Sequence, residues 1–194
     1  MLNPFYNPQI MCIWVFFSSA EKDFLTRKGK AWAACNAMNK IWSSDLDRDF
    51  KLKIFKAAVE PILLYGSETW TLSKKLEKRL DGTYTRLLMR VQNISWKSHH
   101  TKVYIYNNLP PVSSLVQARR VRFAGHCFRA DQEVISELLL WKPFSRSKRG
   151  RRLTYPDVIA RDFGLKQEDL RTAMLDREIW RGFVDAIVST LVEQ

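Results

Sequence analysis

Apolar positions along this chain recur mainly at intervals of three and four residues, the spacing that lines one face of a helix. Ser18, with Glu21 three residues later, reads as a capping box. It predicts a helix from there to about Trp42 that buries Phe24, Ala31, Cys35, Met38 and Trp42 and leaves Arg27, Lys28, Lys30 and Lys40 in water. Ser44 and Asp45 restart the chain into a second helix over 49–59, with Phe50, Ile54 or Phe55, and Ala58 or Val59 on its inner face. Pro61 should kink or end that helix, and the apolar run 62–65 continues to Gly66, a natural stop. Ser73 can cap a third helix whose Leu76, Leu80, Tyr84, Leu87 or Leu88 and Val91 share one face.

Further along, Thr101 can cap a short helix to Asn108, which Pro110 and Pro111 end. Ser113 or Ser114 caps the next one, with Val112 before it as a hydrophobic staple. Its buried stripe would be Leu115 or Val116, Val121 or Phe123, and Cys127, with Arg119, Arg120, Arg122 and Arg129 projecting from the rest. Gly125 permits close approach of another backbone, and His126 is expected to hydrogen-bond a carbonyl in the packed interior. Near the end, Pro156 suits a first helical position, Val158, Ile159 and Phe163 face inward, and Gly164 stops the helix. A short helix over 169–175 follows, and Asp176 caps a last one with Ile179 or Trp180, Phe183, Ile187 and Leu191 at helical spacing.

The fold class expected is therefore mainly α. It has a helical bundle at 18–141, a linker at 142–154 and a small C-terminal helical unit at 155–194. Residues 1–17 combine Asn and Pro turn signals with one short apolar run and read as a short extended segment; no positive n-region supports a signal peptide.

A hydrophobic content of 46%, with 12% aromatic residues in 194, supplies a packed core and excludes a chain disordered throughout. Charge changes the picture more. The net +12 is carried almost wholly by 82–156, where 14 basic and 3 acidic side chains stand, against 13 and 9 before that segment and 5 and 8 after it. No acidic residue lies between Asp81 and Asp131. A concentration of that kind points to a polyanion such as nucleic acid, although a membrane surface or an acidic protein attracts the same charge. Guanidinium forks bind phosphate oxygens in two-pronged fashion, so Arg119, Arg120, Arg122 and Arg129 are candidate backbone contacts. From Lys142 to Arg152 six of eleven residues are basic, which describes a flexible linker whose Arg146, Lys148, Arg149, Arg151 and Arg152 could bind nucleic acid or serve nuclear import.

Other chemistry is sparse. Cys12, Cys35 and Cys127 are odd in number and lack paired spacing, which indicates reduced, buried thiols of an intracellular protein, nuclear or cytoplasmic. No apolar run approaches the roughly 18 residues that span a bilayer. Asp45, Asp47 and Asp49 alternate at a helix start, where carboxylates suit the positive dipole end better than they suggest a metal site. His99 and His100 have no cysteine or carboxylate at ligand spacing. No metal or cofactor is expected.

Two stretches carry a resemblance. The string Val59-Glu60-Pro61-Ile62-Leu63-Leu64-Tyr65-Gly66-Ser67-Glu68-Thr69-Trp70, followed by Arg119-Arg120-Val121-Arg122-Phe123-Ala124-Gly125-His126, resembles the region just after the polymerase palm in reverse transcriptases of non-LTR (LINE-type) retrotransposons, near the RTE and jockey-like groups. The similarity runs from about Ser18 onward, and 177–181 is similar to the Asp-Arg-x-x-Trp pattern with which many such elements end, so the resemblance implies a complete C-terminus. It implies a thumb-like helical bundle in which Tyr65, Gly66, Glu68, Trp70, Gly125 and His126 form a structural motif. The strand containing Tyr-Leu-Gly that usually precedes this region is missing.

The intact parent enzyme moves nucleotides with magnesium ions held by closely placed aspartates of the palm, and no Asp-Asp pair occurs in this chain. Nor is there a Walker loop, a Gly-x-Ser-x-Gly elbow or a His-Glu-x-x-His helix. The expectation is a non-enzymatic fragment that holds RNA or DNA backbone nonspecifically, with the intact element's ribonucleoprotein as a further partner and no membrane. A host-adopted protein-interaction module, a helix-turn-helix DNA binder and a pseudogene product without selected function are the alternatives.

Overall fold

A computed structural model describes residues 20–107, 109–129, 137, 139–140, 154–164 and 167–189. Residues 1–17, Ser18 and most of the 142–154 linker, with the extended segment, capping box and basic cluster expected there, lie outside the described residues. Among those described there is no strand; the mainly-α expectation holds. The helices are α1 (Ala20–Ala37), α2 (Asn39–Trp42), α3 (Arg48–Ala58), α4 (Glu60–Leu63), α5 (Lys74–Val91), α6 (Lys102–Tyr106), α7 (Val112–Arg129), α8 (Tyr155–Phe163), α9 (Gln167–Leu175) and α10 (Arg177–Ser189). They fall into two units. One comprises Glu21–Tyr65 and Lys74–Ser113; the other comprises Gly66–Ser73 and the described residues from Ser114 on.

In the first unit, α5 buries Leu76, Leu80, Tyr84, Leu87, Leu88 and Val91, the stripe that its spacing predicts. Tyr84 meets Phe55 of α3 edge-on at 5.4 Å and donates 2.6 Å to the Glu60 carboxylate, so a deeply buried hydroxyl is satisfied. The long first helix expected to reach Trp42 is instead broken at Met38. There the Cys35 carbonyl accepts from the Trp42 indole at 2.7 Å and from the Met38 amide at 3.2 Å, which tightens the turn and ends the regular ladder. Phe24, Ala31, Cys35 and Trp42 are buried as expected. In α3 the inner face is Leu52, Phe55 and, just past its end, Val59. Phe50, expected inside, is 50% exposed, because it lies on the opposite side of the helix from that phase. Lys51 is buried instead, with Nζ 2.6 Å from the Ser44 carbonyl.

Pro61 acts as expected: α3 stops at Ala58 and α4 restarts with the proline in its first turn. Asp47 caps α3, accepting from the Asp49 amide at 3.0 Å, and Thr101 caps α6. The expected Ser113 or Ser114 cap is corrected: α7 begins one residue earlier, at Val112, and the Ser113 amide donates 3.3 Å to the Asp81 carboxylate of α5. A side chain 32 residues away supplies the acceptor that local sequence was expected to supply.

The second unit packs Val121, Ala124 and Cys127 of α7 with Tyr155 and Ile159 of α8, Leu170 and Met174 of α9, and Trp180 and Val184 of α10. A boundary after residue 141 was expected, yet the apolar stripe of α7 shares its core with helices beyond that point. A complete capping box, Thr154 with Asp157, starts α8, and Gly164 ends it at φ +67°. Asp176 caps α10, accepting from the amides of Glu178 and Ile179 at 2.8 and 3.0 Å. Of the pair left open by spacing, Trp180 is the buried one and Ile179 is exposed.

Candidate functional site: an arginine-lined cavity

The residues of the Gly-Ser-Glu-Thr-Trp turn are framework. Gly66 takes φ +73°, which reverses the chain into a single 3₁₀ turn over Ser67–Thr69. Trp70 is buried, and its carbonyl accepts from the Arg120 guanidinium at 2.9 Å; the Glu68 carbonyl accepts from Tyr155 Oη at 2.9 Å. Tyr65, in the other unit, is exposed, with the Arg27 guanidinium 4.3 Å above its ring.

Arg120 therefore does not face solvent. It is 1% exposed, and its Nε and Nη2 donate to one Asp162 oxygen at 2.8 and 2.5 Å. An arginine buried to this degree, with all three guanidinium nitrogens donating to a buried carboxylate and a buried carbonyl, is not presented to phosphate. The α7 spacing placed it among four projecting arginines; Asp162, from a helix 42 residues on, decides its direction. Arg119 is half-buried and engaged by a neighbouring group. His126, expected in the interior, is exposed, while Gly125 is buried against the Trp180 indole. Arg146, Lys148, Arg149, Arg151 and Arg152 lie outside the described residues.

Arg122 and Arg129 remain, and they have company. Seven residues apart, they occupy one face of α7; Arg177, Arg181 and Asp185, at four-residue steps, occupy one face of α10. The two faces line a cavity of about 380 Å³ with Trp180 and Val184. Arg129 is steadied by donating 2.8 Å to the Met174 carbonyl near the end of α9, where backbone acceptors lack helical partners. Among the described residues no ion pair neutralises Arg122, Arg177 or Arg181, so four guanidinium groups face one carboxylate, that of Asp185. Like charges held together on a helical frame repel, and an anion with several oxygens relieves that repulsion while engaging the forks. Arg177 and Arg181 escaped the sequence reading because they sit in the one segment whose net charge is negative; their four-residue spacing was the available signal.

Among the described residues no group of three His, Cys, Asp or Glu side chains is placed to hold a metal ion, and no helix is long and apolar enough to cross a membrane.

Compared with known proteins, the chain is 28% identical over 126 residues to an uncharacterized transposon-derived protein of Caenorhabditis elegans, a match covering 61% of this chain and 45% of that protein. The chain thus spans about half the length of that relative. No protein-family profile matches, and no solved structure matches.

Proposed function

We propose that the chain is the non-catalytic C-terminal, thumb-like part of a non-LTR retrotransposon reverse transcriptase and that it holds nucleic-acid backbone, with Arg122, Arg129, Arg177 and Arg181 as the principal phosphate contacts. The observation that carries this reading is the convergence of four arginines and one carboxylate on a single cavity. The likeness to a transposon-derived protein supports the origin, as does the order of the two motifs along the chain. Replacement of condensed counterions by guanidinium groups gives salt-sensitive, sequence-blind affinity, on the order of 10⁻⁴ to 10⁻⁶ M at physiological salt. With no adjacent aspartates in the sequence to hold paired magnesium ions, gripping is proposed without copying.

The test is titration of labelled single strand, DNA duplex and RNA–DNA hybrid across a salt series. Affinity that falls steeply with salt and ignores sequence is expected. Marked sequence preference would favour a helix-turn-helix regulator, no binding at low salt would end the proposal, and primer extension with magnesium and nucleotides would overturn its non-enzymatic half.

A further inference from the structure

A second basic surface lies in the other unit, and it is aromatic as well as charged. Five tryptophans of this chain are described, and four of these are buried or half-buried; Trp96 is 74% exposed. A Trp in that state leaves a large apolar face in water at a cost that burial elsewhere would remove. It stands on a short 3₁₀ turn held by local bonds: Ser95 Oγ accepts from the Lys97 amide at 3.3 Å, and Ser98 Oγ donates 2.5 Å to the Ser95 carbonyl. Close by in sequence, the His100 ring stacks on Tyr104 at 4.2 Å with 20° between the planes, and the Arg48 guanidinium lies 4.2 Å from the same Tyr104 centroid. Tyr104 is itself 46% exposed. Its position is fixed from beneath: Arg48 donates to the Tyr104 carbonyl and to Gln92, and Gln92 Nε2 donates 2.7 Å to the Ile105 carbonyl. Lys97 and Lys102 add charge on the same segment, and Asn107 at its end donates 2.7 Å to the Asp49 carboxylate.

We infer that Trp96, with the His100–Tyr104 stack beside it in sequence, is a platform for unpaired nucleic-acid bases. Exposed rings interleaved with cations are what a single strand requires, since every base has a π-face and every linkage a negative charge. A duplex hides its base faces and would gain only the charge. An apolar protein partner would be poorly served by Lys97 5.8 Å from the Trp96 centroid and Arg48 over the Tyr104 ring. The inference rests on the nucleic-acid reading and names the strand state that this unit takes; the arginine cavity grips phosphate irrespective of bases.

The experiment compares the full chain and its Trp96→Ala and Trp96→Phe variants on a fluorescent thymidine oligomer and on an abasic strand of equal length and charge, at one fixed salt concentration. Wild type should bind the thymidine strand about tenfold more tightly than the abasic one, within the range expected for stacking of a base on an aromatic ring. Trp96→Ala should remove that preference and leave abasic binding and melting temperature unchanged, while Trp96→Phe should keep most of it. Equal wild-type affinity for the two strands, or a preference that survives Trp96→Ala, overturns the platform and leaves the patch to a protein partner. Failure to bind either strand would instead remove the nucleic-acid reading on which the platform rests.

Discussion

The indole of Trp180 lies across Gly125, and its Nε1 donates 2.9 Å to the carbonyl of Val121 one turn earlier in α7. A Cβ at position 125 would sit 2.1 Å from that nitrogen and 2.3 Å from Cδ1, so α10 can pack here only over a glycine.

Two effects of known size compete at Gly125. Alanine in a helix interior normally gains about 1 kcal/mol over glycine. Here the added methyl must push aside a buried indole hemmed in by Phe163 at 4.5 Å, and overpacking of that kind costs about 1–3 kcal/mol. Gly125→Ala is therefore expected to lower the urea midpoint despite the better helix former. An unchanged or raised midpoint would mean that α10 is free to slide.

The Arg120–Asp162 pair is buried on both sides, at 2% and 6% side-chain exposure. Removing one partner strands the other charge, so Arg120→Met should destabilise by roughly 3–5 kcal/mol. Arg122→Ala, at an exposed position of the same helix, should stay within about 0.5 kcal/mol of wild type. Any loss of nucleic-acid binding in the Arg120 variant would then follow its unfolding curve, whereas loss in the Arg122 variant would appear in fully folded protein.

Charge variants around the cavity should act with opposite signs. If Arg177 and Arg181 each meet one phosphate, Arg177→Ala with Arg181→Ala should reduce the slope of log affinity against log salt by about 1.8 on duplex DNA. Asp185→Asn removes the one carboxylate of the cavity and should tighten binding. Should both variants shift affinity in the same direction, the cavity is not where phosphate sits.

Asp81 offers a pH test. Burial pushes its carboxyl above the ordinary range, and the bond from the Ser113 amide offsets this only in part. A folded-state value above the unfolded one means that the folded protein holds the proton more tightly. This contribution to stability is complete below the unfolded value, near 3.9, and is lost as pH rises through the folded value. Asp81→Asn keeps an oxygen acceptor for Ser113 and carries no charge, so its stability relative to wild type should rise across that window. Parallel pH profiles for the two proteins would show that the carboxylate is solvated after all.

Helix placement was largely written in local sequence. The stripe of α5 from Leu76 to Val91, the break at Pro61, the stop at Gly164 and the Asp176 cap all depend on residues within a turn or two, where backbone geometry fixes which side chains share a face. The net positive charge of α7 was equally plain, and so was the succession of the Gly66 and Gly125 motifs along the chain on which the resemblance rests.

What spacing could not decide was the destination of each cation, because burial of a charge depends on a partner brought from far along the chain. Arg120 and Arg122 are two residues apart on one helix, yet Asp162 draws the first inside while α10 leaves the second at the mouth of a cavity with Arg177 and Arg181. Asp81 likewise meets the start of α7 only through folding. Periodicity assigns a residue to a face; only the packed neighbours determine whether that face meets carboxylate, carbonyl or water, and with it whether an arginine fastens the fold or remains available for phosphate.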